Sequence, residues 1–193
     1  LAASPQAVLL DEPLVALDPD TAAGIRRMLR EQLAGVTTVA VTHDAADAVA
    51  LADRLLVIEA GRVTQSGPVR EVLGEPASDF VASIGGVNRL VGVADGGDWV
   101  AGEVRLASAD AASRALAAVD GAGLAAVFRP EDARLVGEEA AAVDTWTVTV
   151  TDLEQTLTGV RVRTGLGVVD VPLADAGGLA VGSTVRVSVD PAA

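Results

Sequence analysis

Val8-Leu9-Leu10-Asp11-Glu12-Pro13 is followed by Leu17-Asp18-Pro19 and, further on, by Thr42-His43-Asp44. A short apolar run that ends in two adjacent carboxylates and a proline reads as a buried strand, 7–10, closed by a polar turn. Asp18 stands six residues after Glu12, and His43, the sole histidine, stands 31 residues after it. The β-branched run 36–41 leads directly into Thr42, so the imidazole and the acid pair are expected at one edge of one sheet. In parallel sheets that edge binds ligands. Adjacent strand residues point to opposite faces, so the two acids are expected to have different roles. Asp11 suits a Mg²⁺ shell, reached through water, because Mg²⁺ keeps its waters and takes few carboxylates. Glu12 suits an attacking water, as base or orienting group. His43 suits a phosphate oxygen, as a donor that strengthens toward the transition state. Each residue also has a plainer reading: a solvated strand end, a structural histidine and, for Asp18, a helix cap.

Outward from this stretch the chain alternates. Asp18 before Pro19 marks a helix start, Ile25, Leu29 and Leu33 keep helical spacing, and Gly35 marks its end. Asp44 caps a second helix, 45–52; strands follow at 54–59 and 62–65, joined by a turn at Glu59-Ala60-Gly61-Arg62, and helices at 68–73 and 77–84. Strands alternating with helices predict a parallel sheet covered on both faces. Past Gly85-Gly86 the pattern becomes short Val-rich strands between Gly and Asp turns: 88–93, 99–106, 124–128, 145–151, 159–164, 167–171 and 184–189. A helix is expected over 109–119 and a loop over 137–142. That pattern predicts a small antiparallel barrel. Two domains are therefore expected, 1–86 and 87–193.

Composition narrows the function classes. Half of the 193 residues are apolar but only 2% are aromatic, so the cores must be built from Ala, Val and Leu. The formal net charge of −13 disfavours nucleic acid and anionic membrane surfaces, both of which need a positive footprint. With no cysteine, thiol catalysis and thiolate metal sites are excluded. No apolar run approaches the roughly 18 residues of a membrane span, so no direct membrane insertion is expected. The start Leu1-Ala2-Ala3-Ser4-Pro5 lacks both Met and the charged, apolar layout of a signal peptide, and reads as the interior of a longer protein.

The motifs resemble those of the ATP-binding subunits of ABC transporters. Val8-Leu9-Leu10-Asp11-Glu12-Pro13 is similar to their Walker B motif with its catalytic glutamate, Ala16-Leu17-Asp18 to the D-loop, and Thr42-His43-Asp44 to the switch-histidine loop. Leu51-Ala52-Asp53-Arg54 and Gly61-Arg62 fit the same continuation; Val15 departs from it, where the family usually has serine. The resemblance implies ATP and Mg²⁺ as cofactors. Asp11 would serve the metal, Glu12 would polarise the attacking water, His43 would contact the γ-phosphate, and Asp18 would couple the two sites of a homodimer. It implies a partial P-loop NTPase α/β sheet with flanking helices, a cytoplasmic place on the inner face of the cell membrane, and transmembrane permease subunits as partners. The phosphate loop G-x-x-x-x-G-K-[ST] is missing, since all 14 basic residues are arginine. The fragment by itself is therefore expected to be inactive as an ATPase.

Beyond residue 87 the resemblance continues. Phe128-Arg129-Pro130-Glu131-Asp132 is similar to a segment of the OB-like accessory β domains, called TOBE domains, of importer subunits. Gly86-Val87-Asn88-Arg89-Leu90-Val91-Gly92 and Trp146-Thr147-Val148-Thr149-Val150 most resemble molybdate-type importers. Sugar, iron and polyamine importers stay open as alternatives. So do a barrel that senses an oxyanion as a regulatory module and a non-transport ATPase of the same class. Arg161, Arg163 and Arg186 are equally well read as oxyanion ligands or as solvated strand residues.

Overall fold

The computed structural model describes residues 5–108, 110–137 and 144–190. It divides into two compact units, Leu1–Gly85 and Gly86–Ala193. The architecture is the expected mixed α/β class: a parallel strand pair with helices, then a nearly closed antiparallel barrel-like arrangement.

In the first unit β1 (Ala7–Asp11) pairs in parallel with β2 (Thr37–Val41), in the register Ala7↔Thr37 to Asp11↔Val41. Helix α1 (Pro19–Gln32) makes the crossover that parallel pairing requires. Its start is fixed locally: the Asp18 side chain accepts the Thr21 amide at 3.0 Å, and Pro19 takes the first helical position. Gly35, at φ 78°, turns the chain out of the helix and into β2. Helix α2 (Ala45–Leu51) is capped by Asp44 through the Ala46 amide at 2.6 Å.

Strand β3 (Arg54–Glu59) does not extend the parallel sheet. It folds back onto β4 (Arg62–Pro68) as an antiparallel hairpin in a sheet of its own. The cause is the two-residue turn Ala60-Gly61, with φ of 48° and 74°, the handedness that matches strand twist in tight hairpins. Helices α3 (Val69–Gly74) and α4 (Asp79–Gly85) complete the unit, and its core gathers Val57, Val72 and Val81. Covering on both faces, expected for a parallel sheet, is not found here: Leu9 is 80% exposed, and Val39 and Val41 are exposed beside it.

In the second unit β5 (Asn88–Asp95), β6 (Asp98–Ala101), β7 (Val104–Leu106) and β8 (Gly123–Phe128) form one antiparallel sheet, in the order β7-β6-β5-β8. A second sheet runs β12 (Gly167–Pro172), β11 (Gly159–Thr164), β10 (Thr145–Gln155), β13 (Thr184–Val189), β9 (Ala133–Val136). Helix α5 (Ala111–Ala117) joins β7 to β8. The segment expected as one strand over 99–106 is two, because Gly102 (φ 60°) turns the chain between Ala101 and Val104. Strand β9 is an addition, too short to show a pattern in sequence. Of the loop expected at 137–142, all but Gly137 lies outside the described residues.

Both sheets share one core. Leu90, Trp99, Val104 and Leu106 meet Trp146, Val148, Val150, Val162, Val169 and Val187. The Phe128 and Trp146 rings meet edge to face, 6.1 Å between centroids. Buried Asn88 joins the sheets as a surrogate backbone: its Nδ2 donates to the Val168 carbonyl and its Oδ1 accepts the Val168 amide, both at 2.7 Å. The Asp170 amide donates to the Pro130 carbonyl at 3.1 Å, bringing the outer strand β12 toward the turn that leads into β9.

Close backbone approach sets a measurable limit. A Cβ on Gly159 would lie 2.1 Å from the Val171 carbonyl oxygen, whereas one on Gly165 meets nothing within 4 Å. Gly159→Ala is expected to destabilise this unit by about 3 kcal/mol, and Gly165→Ala by less than about 0.5 kcal/mol. Urea unfolding followed by the fluorescence of Trp99 and Trp146, both in this unit, reads the difference.

Candidate functional site

The site begins with the register of two strands. Parallel pairing carries on one residue past β1, where the Glu12 amide donates to the Val41 carbonyl at 2.9 Å. The ends of β1 and β2 are thereby level, and the residues after them, Glu12 and Thr42-His43, emerge side by side. Glu12 itself has φ 45°, in the left-handed region. Its direction is therefore set by the turn Glu12-Pro13-Leu14-Val15 and not by strand alternation, which corrects the expectation of opposite strand faces. The turn is closed by the Val15 amide on the Glu12 carbonyl at 3.3 Å and anchored by buried Leu14.

Glu12 and His43 touch. The His43 Nδ1 lies 2.8 Å from Glu12 Oε1. An ionised carboxylate only accepts, so Nδ1 carries the hydrogen, and the Nε2 edge faces away from the acid. The imidazole is 73% exposed and the Glu12 side chain 35%. Glu12 Oε2 is buried and has no hydrogen-bond partner among the described residues. The hydrogen bond that Glu12 accepts and its negative charge hold the His43 pKa above the ordinary 6.5, with smaller contributions from Asp44 and Asp47.

Asp11 is exposed at the end of β1, opposite Val41 in register. Asp18 is exposed and caps α1, and its bonds to Thr21 hold its carboxyl below the usual value. The structure thus brings Glu12 and His43 into contact, sets Asp11 next to them in sequence, and gives Asp18 the plainer role of a cap. Two residues that sequence reading missed lie behind this edge. Asp47 on α2 is buried and accepts from Arg26 Nε of α1 at 2.6 Å and from Thr42 Oγ1 at 3.2 Å. The available signal was the repeat of acids at Asp44 and Asp47 on one helix face, set against the basic residues of α1.

The fit of a nucleotide is one-sided. The buried Glu12 Oε2 lacks the donor that a water would supply, the outer edge of His43 suits an anionic oxygen, and exposed Asp11 suits a water-mediated magnesium contact. A phosphate cradle is not formed by the described residues: the chain has no lysine, and no group of three or more His, Asp or Glu among them is placed to hold a metal ion directly.

No protein-family model matches the chain. The molybdenum import ATP-binding protein ModC of Mycobacterium tuberculosis (strain ATCC 25618 / H37Rv) is 51% identical over 94 residues, which is 48% of this chain and 26% of that protein. The sulfate/thiosulfate import ATP-binding protein CysA of Xanthomonas campestris pv. campestris is 40% identical over 198 aligned residues, covering 97% of this chain and 54% of that protein. The chain is a homologue of ABC import ATP-binding proteins. CysA 2 of Agrobacterium fabrum, another sulfate/thiosulfate import ATP-binding protein, is 43% identical over 109 residues, 55% of this chain and 32% of its own length. The chain thus spans between a quarter and about half of these ABC import relatives.

The contact at the site has a pH signature. The folded-state pKa of His43 lies above its unfolded value, so the stability gained from the Glu12 contact is fully present below about pH 6.5. It is lost as pH rises through the folded pKa. An NMR titration of the sole histidine should give a midpoint above 6.5, and Glu12→Gln should return it toward 6.5. Equal midpoints in the two proteins would refute the contact.

Proposed function

We propose that this chain is part of the ATP-hydrolysing subunit of an ABC importer. Residues 1–86 are read as the C-terminal part of its ATPase domain and 87–193 as a TOBE-type accessory barrel. The observation that carries the proposal is the 2.8 Å contact between Glu12 and His43 at the level ends of two parallel strands, with an unpartnered Glu12 oxygen beside it. Supporting it is a 40% identity to a sulfate/thiosulfate import ATP-binding protein that extends across both units.

In this reading Glu12 orients a water and draws on its proton through Oε2. His43, whose charged form the Glu12 contact favours, presents its Nε2 edge to a phosphate oxygen. Asp11 would hold Mg²⁺ through water; the metal, when bound, neutralises phosphate charge. Asp18 keeps α1 at a fixed start and so keeps the turn after Glu12 in place, where a second copy of the subunit would meet it. The partners are then a homodimer mate and membrane permease subunits, and the subunit would sit at the cytoplasmic face. No described helix is long and apolar enough to cross a membrane.

The cargo is read as a tetrahedral oxyanion. The notable likeness to a molybdenum protein covers 48% of the chain, and that to a sulfate/thiosulfate protein 97%, so molybdate and sulfate stand level. The rival reading, a barrel that senses the oxyanion, loses two of its proposed ligands. Arg161 is engaged by Asp170 through two bonds of 2.8 Å, and Arg163 by Glu154 at 3.3 Å. The Arg129-Pro130-Glu131-Asp132 segment is a turn closed by Asp132 on the Arg129 amide at 3.1 Å.

In the complete protein that carries this chain, Glu12→Gln is expected to lower magnesium-dependent ATP turnover about 10²- to 10⁴-fold with nucleotide binding retained. The 193-residue chain alone is expected to show no turnover. Unchanged turnover in the Glu12→Gln protein would overturn the proposal. A melting temperature raised by molybdate but not by nucleotide would favour the sensing module instead.

A further inference from the structure

A buried carboxylate next to an exposed functional loop calls for an explanation. Asp47 is 4% exposed, and burial of a charge is unfavourable unless it is paired and hydrogen-bonded. It is satisfied on both oxygens. Oδ1 accepts from Arg26 Nε at 2.6 Å, and Oδ2 accepts from the Thr42 hydroxyl at 3.2 Å. That hydroxyl in turn accepts the Asp44 amide at 3.1 Å. One side chain thus clasps the backbone on both sides of His43. Arg26 also reaches Asp44 Oδ2 with its NH2 group at 3.4 Å, and Arg30 donates to the Ala50 carbonyl at 3.1 Å. Helix α1, which starts seven residues after Glu12, is thereby fastened to the loop that carries the imidazole.

The imidazole needs such a fixture. Its ring is largely exposed, and the hydrogen bond described for it is the one with Glu12. A single bond to an exposed ring places it reproducibly only if its backbone is placed by something else. We infer that Arg26, Asp47 and Thr42 are positioning residues that hold the His43 loop so that Nδ1 meets Glu12. The contact itself is independent of what the site does; the consequence for turnover rests on the function proposed above.

The test uses the single histidine of the 193-residue chain as its reporter. Its ring ¹⁵N and ¹H resonances report both titration midpoint and tautomer. Two variants separate positioning from simple electrostatics. Arg26→Gln removes a positive charge, so a bystander role would leave the His43 midpoint in place or raise it. Loss of positioning would instead lower it toward 6.5, because the Glu12 contact is the largest cause of its elevation. Thr42→Val is close in shape, changes no charge and keeps the Arg26–Asp47 pair, so it decides the matter if Arg26→Gln perturbs the fold.

Both variants are expected to lower the midpoint and to mix the Nδ1–H tautomer with the Nε2–H form. Arg26→Lys is expected to recover part of the shift. Unchanged or raised midpoints in both variants, with amide spectra showing the fold intact, would overturn the inference. An unshifted Glu12→Gln protein would overturn it as well, since there would be no contact to position. In the complete protein, lowered kcat with unchanged KM in Thr42→Val would support both readings. A shifted midpoint together with no ATP hydrolysis by the complete protein would support the positioning role and refute the proposed function.

Discussion

The Glu12 amide bonded to the Val41 carbonyl at 2.9 Å is the constraint from which the site follows. Strand pairing has a period of two, so a slip of one residue between β1 and β2 would send every side chain to the other face. It would also separate Glu12 from the loop after β2. The register Asp11↔Val41 therefore does more than hold two strands. It fixes the height at which the acid and the imidazole leave the sheet. The left-handed backbone at Glu12 then turns the acid toward His43, a conformation that costs about 1 kcal/mol or more for a residue with a Cβ. Strain of that kind persists only where surrounding contacts over-determine it, and here the Leu14 anchor and the Val15 amide bond do so.

The second unit solves a different problem with the same small vocabulary. With few aromatic residues its core depends on valines from facing strands, filled in by Trp99, Trp146 and Phe128. Stitching the two sheets together falls to Asn88, whose amide mimics a strand partner for Val168. The barrel surface bears a large share of charge. Two of its arginines pair with neighbouring carboxylates, Arg161 with Asp170 and Arg163 with Glu154. Such exposed or half-exposed pairs contribute little to stability. They do align strands β10, β11 and β12, and they lower the local repulsion in a chain with a net charge of −13.

What could be read from sequence was what local chemistry determines. Strand β1, the cap at Asp18 and the cap at Asp44 each have their cause within a few residues, and each lies where it was expected. The meeting of Glu12 and His43 was also legible, because both follow apolar strands in a βαβ pattern. Where the cause lay in a turn or in a distant partner, the reading fell short. The turn at Glu59-Ala60-Gly61-Arg62 was legible, but not that it folds β3 into a hairpin apart from the parallel sheet. Gly102 splits a continuous-looking strand. Asn88 and Val168 are 80 residues apart, and no local pattern announces their pairing. Arg26 and Asp47 are 21 apart, and each alone reads as a surface charge on an amphipathic helix.

The electrostatics of the strand ends bear on which side of a phosphate reaction this chain can serve. Asp11 and Glu12 put two acids at one edge, and triphosphate oxygens would be repelled from them without an intervening cation. Arg26 lies behind that edge, but its guanidinium is committed to Asp47 and Asp44. His43 is the group in contact with Glu12 that can carry positive charge, and that contact favours the charged form. The pairing thus makes each partner better suited to its proposed task. The charged form that the contact favours suits an anionic oxygen, and the carboxylate keeps one oxygen, Oε2, without a donor. A bare acid pair would offer only the second property. A lone exposed histidine, mostly neutral near pH 7, would offer little of the first. Joining the two across a parallel register supplies both from one hydrogen bond, which is why the geometry of the loop around His43, and not the identity of His43 alone, decides whether the site can work.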